Sequence, residues 1–219
     1  MNSPVKIQSP AEIWHAWQAD LDRYVYIAGG KYPPLLIVLT DQGMWMSTQY
    51  RFSYWVHHHL KVPVVRPLMK VFCAIWQKVI EIVTSSEMPN RAAIGGGLLI
   101  SHGHGIFLHC NAVLGENCNL GHDVTIGVGG RGDKRGTPVL GDRVYVGPGA
   151  KIFGAIRIGN DVAIGANAVV TKDIPDNAVA VGIPAKVISY QGSRDFVVYR
   201  GHELDLLADE LIQEQTLEN

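Results

Sequence analysis

The 219-residue chain is poor in several features that would point to a functional class. Its formal net charge of −1 at pH 7 gives no electrostatic reason to expect a nucleic-acid partner. It has three cysteines, Cys73, Cys110 and Cys118, and none of them belongs to a Cys-x-x-Cys pair. An odd and scattered set of this kind indicates neither a disulfide framework nor a zinc ribbon, so we expect reduced thiols.

Long hydrophobic runs are also missing. The longest aliphatic run, residues 35–39, is far shorter than the roughly 20 residues that a membrane-spanning helix needs. The first thirty residues lack a basic stretch followed by an apolar one, so no signal peptide is predicted. We therefore expect a cytoplasmic protein, with contact to the inner face of a membrane left open.

The chain has instead 24 glycines and an aliphatic residue at every sixth position of one long stretch. A period of six fits neither an α-helix nor an amphipathic strand, so it predicts a repeat of short strands joined by tight corners. Glycine follows most of the aliphatic positions, which are Leu114, Leu120, Ile126, Leu140, Val146, Ile152, Ile158, Ile164 and Val170.

Two irregular steps interrupt this repeat. The series begins at Ile94, Ile100 and Ile106, and a step of eight residues then leads to Leu114. Fourteen residues separate Ile126 from the next position, and the polar, glycine-rich stretch VGGRGDKRGTPV within them is predicted to leave the repeat as a loop. We divide the chain into a helical N-terminal region, 1–90, a repeat domain, 91–188, and a C-terminal tail, 189–219.

The N-terminal region holds all five tryptophans, and prolines divide it. Residues 41–60 and 68–84 are predicted to be helices, the second with one apolar face. Two interpretations stay open: a cap that also builds oligomer contacts, or attachment to a membrane face. The helical triplet His57, His58 and His59 is interpreted as a surface or interface feature, because consecutive helical residues point in different directions. In the tail a short surface helix is predicted from Leu204, Leu207 and Leu211.

The chain resembles the hexapeptide-repeat acyltransferases in its six-residue repeats, which we call hexads and number from the aliphatic residue. It also resembles them in the segments GLLISHGHGIFLH, TPVLGD and PDNAVAVGIPAKVI. The order and spacing are similar to the serine O-acetyltransferase branch, and closest to its polysaccharide-biosynthesis O-acetyltransferases. The resemblance implies a mainly β fold: a left-handed parallel β-helix with an α-helical N-terminal region and a short C-terminal helix. It also implies a homotrimer with active sites between subunits, and it leaves the pairing of two trimers open.

For activity, the resemblance implies transfer of an acetyl group from acetyl-CoA to a hydroxyl. Such a transfer needs a base that titrates near neutrality, which favours histidine. His102 in ISHG matches the catalytic histidine of the family, although Ser101 stands where the family has Asp. Glu87 matches the place of the acidic residue that orients this histidine, with Glu in place of Asp.

Two further histidines are candidates for the acceptor site. His104 falls at the fifth position of its hexad, where the side chain is usually small and points inward. His122 falls at the third position of its hexad, where the side chain points outward. His109 lies near enough in sequence to join a cluster. The spacings of these histidines do not resemble the zinc ligands of the carbonic anhydrases that share the fold, so no metal is predicted.

The acetyl-CoA residues are carried over from the family. Gly147, Pro148 and Ala166 match coil positions where side chains must be small, and Lys186 matches a basic residue that meets a CoA phosphate. The loop brings glycines close to the thioester, and a backbone N–H of Val128 or Gly129 is a candidate oxyanion donor.

The loop also bears on the acceptor. Serine acetyltransferases place an Arg-His pair before its proline, where this chain has Gly136 and Thr137, with Arg135 one step away. We retain Arg135 and Thr137 as substrate-binding candidates. Because the pair that would bind a carboxylate is missing, the preferred acceptor is a sugar hydroxyl in exopolysaccharide, capsule or lipopolysaccharide biosynthesis. The alternatives are a serine O-acetyltransferase of cysteine biosynthesis and a non-catalytic trimeric scaffold.

Overall fold

A computed structural model describes residues 9–132 and 135–203. The chain begins with four helices: α1 (Pro10–Ile27), α2 (Pro34–Thr40), α3 (Gln42–His58) and α4 (Val65–Thr84). Ser9 and Glu12 form a reciprocal capping box at the start of α1, and the Asp41 side chain accepts the Met44 N–H at the start of α3. None of these helices is long and apolar enough to cross a membrane.

The helices are followed by fourteen short strands among the described residues. They are β1 (Ala93–Ile94), β2 (Leu99–Ile100), β3 (Phe107–Leu108), β4 (Val113–Leu114), β5 (Asn119–Leu120), β6 (Thr125–Gly127), β7 (Val139–Leu140), β8 (Tyr145–Val146), β9 (Lys151–Phe153), β10 (Arg157–Ile158), β11 (Ala163–Ile164), β12 (Val169–Val170), β13 (Val179–Val181) and β14 (Lys186–Ser189).

The strands stack into three sheets, which are the sides of a triangular coil. Side 1 contains β1, β4, β7 and β10; side 2 contains β2, β5, β8, β11, β13 and β14; side 3 contains β3, β6, β9 and β12. Neighbouring strands pair in parallel, except for the antiparallel β13–β14 pair. The predicted fold class is therefore confirmed as a parallel β-solenoid of about five turns that follows four helices.

The aliphatic hexad positions point inward and form one continuous core. Leu120 pairs with Val146 and Ile126 pairs with Ile152, so equivalent residues of successive coils lie directly above one another. All four are fully buried. The Gly-rich corners allow this close stacking, because a Cβ on Gly147 would lie 2.8 Å from the Ala166 nitrogen.

The first irregular step lies one strand earlier than the sequence predicted. Leu108, not Ile106, pairs with Ile126 and occupies the core position of β3. Ile106 lies at the fifth hexad position beside Val124, whose carbonyl accepts the Phe107 N–H. The eight-residue step therefore runs from Ile100 to Leu108. The prediction was wrong because Ile106 and Leu108 are both aliphatic and buried, so hydrophobicity alone does not separate the two registers.

The helices attach to the first coil through a buried ion pair. Asp20 of α1 accepts from the Arg51 guanidinium of α3 at 3.0 Å, and it also accepts the Leu98 N–H at 2.7 Å. Arg51 donates to the carbonyls of Ile94 at 2.7 Å and Gly95 at 2.6 Å. The pair thus satisfies backbone groups at the open end of the solenoid, where no further coil is present to bond them.

The C-terminal end of the described chain returns to the coil. The Ser193 hydroxyl donates to the Arg143 carbonyl, and the Asn119 amide donates to the Phe196 carbonyl. The tail helix predicted from Leu204, Leu207 and Leu211 lies outside the described residues.

The ion pair gives a stability prediction. Asp20→Ala leaves the Arg51 charge buried and unpaired, so we expect a loss of about 3–5 kcal/mol in the free energy of unfolding. The matched control is Asp22→Ala, because Asp22 forms an exposed ion pair with Arg200 at 2.9 Å. Removing that pair should cost less than about 1 kcal/mol. Urea denaturation measures both values, and equal losses would contradict the anchoring role of Asp20.

Candidate active site

Three histidines meet at the corner between sides 2 and 3, which we call the histidine corner: His102, His104 and His122. The backbone ladder fixes the alignment, because the Asp123 N–H donates to the His104 carbonyl and the Gly149 N–H donates to the His122 carbonyl, each at 2.8 Å. His104 therefore lies directly above His122 in the next coil. This corner is the place where the eight-residue step inserts its two extra residues.

His102 lies within the insertion. Its φ of 58° is left-handed, as is the φ of 56° at both Asp123 and Asn167, which stand at the same corner in lower coils. Its carbonyl accepts the His104 N–H at 2.6 Å, so the chain turns sharply here. The side chain is exposed, and its ring lies edge-on to that of His122 with centroids 6.1 Å apart. The insertion thus exposes the His102 imidazole beside that of His122.

The placement of His104 corrects the sequence-based prediction. His104 is exposed at the corner and does not lie at an inward fifth position. The physical reason is the register of β3, which gives the fifth position to Ile106. His104 and His122 remain acceptor-site candidates, and the corner brings both of them next to His102.

His109 is separated from this group, because it follows β3 at the next corner. Its Nδ1 accepts the Asn111 N–H at 3.1 Å. The structure therefore limits the predicted histidine cluster to three members. In the described ranges no group of three or more His, Cys, Asp or Glu side chains could hold a metal ion.

Glu87 adds a rung to side 3 above the first coil. Its N–H donates to the Ile106 carbonyl at 2.7 Å, and its carbonyl accepts the Leu108 N–H at 3.0 Å. The carboxylate is exposed and is not hydrogen-bonded to His102 in this structure. A hydrogen bond from Lys78 to Glu81 raises the lysine pKa, and the Glu87 charge adds to the rise. Pairing of Glu87 with His102 stays a prediction.

The predicted acetyl-CoA residues extend along the same corner. His104 and His122 occupy one position of the corner in the first and second coils. Pro148 and Ala166 occupy it in the third and fourth coils, because the Asn167 N–H donates to the Pro148 carbonyl. Strands in adjacent coils are about 4.8 Å apart, so three steps span about 14 Å. The corner thus passes from large imidazoles to small side chains, which leaves room for an extended ligand.

Lys186 lies beyond the end of this line. It pairs with Val181 in the last strand of side 2, and the preceding Ala185 N–H donates to the Val169 carbonyl of side 3. The lysine side chain is exposed. A cation at this end of the corner, with the histidines at the other, suits a ligand that carries phosphates at one end and reacts at the other.

The long loop leaves side 3 as a narrow hairpin. Gly129 and Gly136 exchange two hydrogen bonds of 3.0 Å, so the Gly129 N–H is already bonded. Of the two predicted oxyanion donors, only Val128 therefore remains a candidate. Arg135 is exposed on this hairpin, while residues 133–134 are not described.

The Thr137 side chain is buried. It is 6% exposed, and its hydroxyl donates to the Asn111 carbonyl at 3.0 Å. The hydroxyl thus ties the start of β7 to the preceding coil. Substrate binding by Thr137 stays a prediction, and the structure shows its hydroxyl already bonded to a backbone carbonyl.

Sequence analysis missed the contacts that hold the histidine corner from the helical side. The Tyr24 hydroxyl accepts the Ile100 N–H at 3.0 Å and donates to the Ile100 carbonyl at 3.2 Å. Gly43 lets α3 approach, because a Cβ there would lie 2.5 Å from that carbonyl. Both contacts fix the residue just before Ser101 and His102, and no sequence pattern reveals them.

Comparison with known proteins agrees with this architecture. The family described as Bacterial transferase hexapeptide (six repeats) matches residues 137–172. A serine acetyltransferase of Helicobacter pylori strain J99 is 36% identical over 153 residues, which is 70% of this chain and 85% of the relative. The chain belongs to the serine acetyltransferase family. The predicted enzyme class, an acetyl-CoA-dependent O-acetyltransferase, is therefore confirmed.

Solved structures give the same result. Serine acetyltransferase from Neisseria gonorrhoeae superposes with a TM-score of 0.67 at 29% identity, over 82% of this chain and 66% of that one. The coenzyme A complex from Brucella abortus strain S19 gives 0.67 at 28% identity, over 84% of this chain and 70% of that one. These relatives overturn the preference for a glycan acceptor and for the polysaccharide branch, and they support the serine alternative.

The path proposed for acetyl-CoA along the histidine corner can be tested by placing a large side chain in it. Ala166→Leu places a bulky side chain in the path proposed for acetyl-CoA, so we expect the KM for acetyl-CoA to rise about tenfold or more, which corresponds to about 1.4 kcal/mol. Glu116→Leu is the matched control, because Glu116 is exposed at the equivalent position of a different corner. Steady-state kinetics on both variants separate the effects, and equal KM values would refute the path.

Proposed function

We propose that the protein transfers the acetyl group of acetyl-CoA to the hydroxyl of L-serine. The observation that carries the proposal is the 36% identity to a serine acetyltransferase over 85% of that relative's length. Two solved relatives support it: one from Neisseria gonorrhoeae is in complex with serine, and one from Brucella abortus is in complex with coenzyme A. The exposed His102 imidazole at the histidine corner would supply the base.

In the proposed reaction His102 is the general base. Its imidazole takes the hydroxyl proton while the serine oxygen attacks the thioester carbonyl, which gives a tetrahedral oxyanion. The Val128 N–H stabilises that charge. Collapse breaks the carbon–sulfur bond, and the departing thiolate takes the proton from the imidazolium, so the products are O-acetylserine and CoA. Glu87 would orient the imidazole and stabilise its charged form.

The proposal places the serine carboxylate against Arg135. Gly136 has no side chain, and Thr137 has a neutral one whose hydroxyl already donates to a backbone carbonyl, so neither offers a positive charge. The Arg135 guanidinium is exposed on the hairpin, and its fork of donors matches a carboxylate. His104 and His122 would line the rest of the acceptor site beside His102.

We further propose that the active unit is a homotrimer. Its support is the family, since hexapeptide-repeat acetyltransferases are typically trimers. The acetyl-CoA part of the histidine corner would then lie at the junction with a neighbouring subunit. Its proposed residues are Gly147, Pro148, Ala166 and Lys186. Each site would combine His102 of one subunit with acetyl-CoA held against the next.

The base assignment predicts the effect of His102→Ala. Loss of a general base lowers the rate about 10²–10⁴-fold, so we expect kcat/KM for serine to fall by that factor. The assay measures free thiol released from acetyl-CoA in the presence of L-serine. His109→Ala is the control, because the His109 ring lies at a different corner, where it bonds the Asn111 N–H and contacts the Cys110 thiol. This variant should change kcat/KM less than threefold. A wild-type protein that releases no thiol with serine would refute the acceptor, and full activity in His102→Ala would refute the base.

The carboxylate assignment predicts a separate effect of Arg135→Gln. A hydrogen bond to a charged group contributes about 1.5–3 kcal/mol, so the KM for serine should rise roughly 10- to 150-fold while the KM for acetyl-CoA stays the same. Arg131→Gln, in the same hairpin, is the control. Arg135 would be excluded as the serine ligand if both variants kept the wild-type KM for serine.

A further inference from the structure

Helix α4 presents an apolar face to the outside of the molecule. Its inner face packs on α3 through Cys73 and Ile80, which are buried. The opposite face should be polar in a helix that only caps the coil, yet its aliphatic side chains are 51–79% exposed. They are Leu68, Val71, Ile75, Val79 and Ile82, and Phe72 and Val83 flank this face at 49% exposure each.

This face is continuous with an aromatic groove between α1 and α3. The groove encloses about 420 Å³, and Trp14, Trp17, Phe52 and Trp55 line it. Phe52 joins the two regions, since its ring centroid lies 6.3 Å from that of Phe72 on α4. The result is one apolar surface across three helices, rich in tryptophan, which favours the boundary between an apolar medium and water.

The charge around α4 differs in sign from that of the rest of the chain. Residues 61–84 contain four basic residues and one acidic residue, a net charge of +3. The whole chain has a net charge of −1, so the remaining residues sum to −4. A two-fold contact between two copies of this face would bring like charges together, whereas an anionic surface would complement them.

We propose that the α4 face docks onto the surface of an anionic lipid bilayer. The helix would lie in the plane of the interface with its apolar side chains among the acyl chains and its basic residues near the headgroups. This matches a helix that is amphipathic along all 20 residues and is not apolar enough to span. The proposal goes beyond the acetyl transfer and does not rest on the identity of the acceptor.

Vesicle co-sedimentation of the full chain tests the proposal. We expect at least tenfold stronger binding to vesicles with one-third anionic phospholipid than to zwitterionic phosphatidylcholine vesicles, and weaker binding as salt rises. The double variant Ile75→Ser, Ile82→Ser should bind at least tenfold more weakly. Its control is Leu35→Ser, Leu39→Ser, which removes equally exposed aliphatic side chains from α2. Circular dichroism and acetyl-transfer activity verify the fold of both.

Charge variants and mass measurements complete the test. Lys61→Gln and Lys70→Gln should each weaken binding to anionic vesicles about fivefold, as about 1 kcal/mol per basic residue implies. Light scattering should show the same oligomeric mass for the wild type and the Ile75, Ile82 variant. Three results would overturn the proposal: no binding of the wild type, equal losses in the α2 control, or a fall in oligomeric mass, which would make a second copy the occupant.

Discussion

The open end of the solenoid is the physical constraint on which the rest of the structure depends. Each coil satisfies its backbone through the next one, so the first coil begins with carbonyl and N–H groups that have no coil above them. Asp20 and Arg51 bond three of these groups, and the Tyr50 hydroxyl donates to the Ala92 carbonyl at 2.7 Å. The helices therefore cover the open end of the solenoid with hydrogen-bonding groups as well as with apolar side chains. These hydrogen bonds fix the position of the helices on the coil.

The same attachment holds the chain next to the proposed general base. Two residues more than a regular hexad step are inserted directly after Ile100, whose backbone Tyr24 holds from above. The extra chain cannot enter the packed core, so it bulges outward and displays His102 beside His122. A regular corner would have kept that position within the stack. The departure from the repeat therefore exposes the proposed general base, and the hydrogen-bonded coils hold the chain on either side of it.

The sequence predicts the parts of this protein that depend on periodicity and not those that depend on contacts across the chain. The hexads identify the solenoid because inward packing requires an aliphatic residue at each sixth position, but two neighbouring aliphatic residues, Ile106 and Leu108, hide the register of β3. Helices α1 and α2 were not predicted, and neither was the role of Gly43. The predicted glycan acceptor was wrong, because the absence of the Arg-His pair does not exclude serine: Arg135 in the same loop carries a positive charge that can bind a carboxylate.

The Arg23 guanidinium joins segments that are far apart in the chain. It donates to the carbonyls of Gly97 and Cys118 in successive coils and to that of Val198, 175 positions away, and burial lowers its pKa to about 10. Stacked repeats ordinarily contact only their neighbours, so they can fray from either terminus. Here Arg23 of the first helix hydrogen-bonds both the first two coils and the C-terminal segment that returns to them, so the contacts are not limited to neighbouring coils. The solenoid should therefore unfold more cooperatively than one without this contact. Neither α1 nor the returning segment can detach without breaking the Arg23 hydrogen bonds.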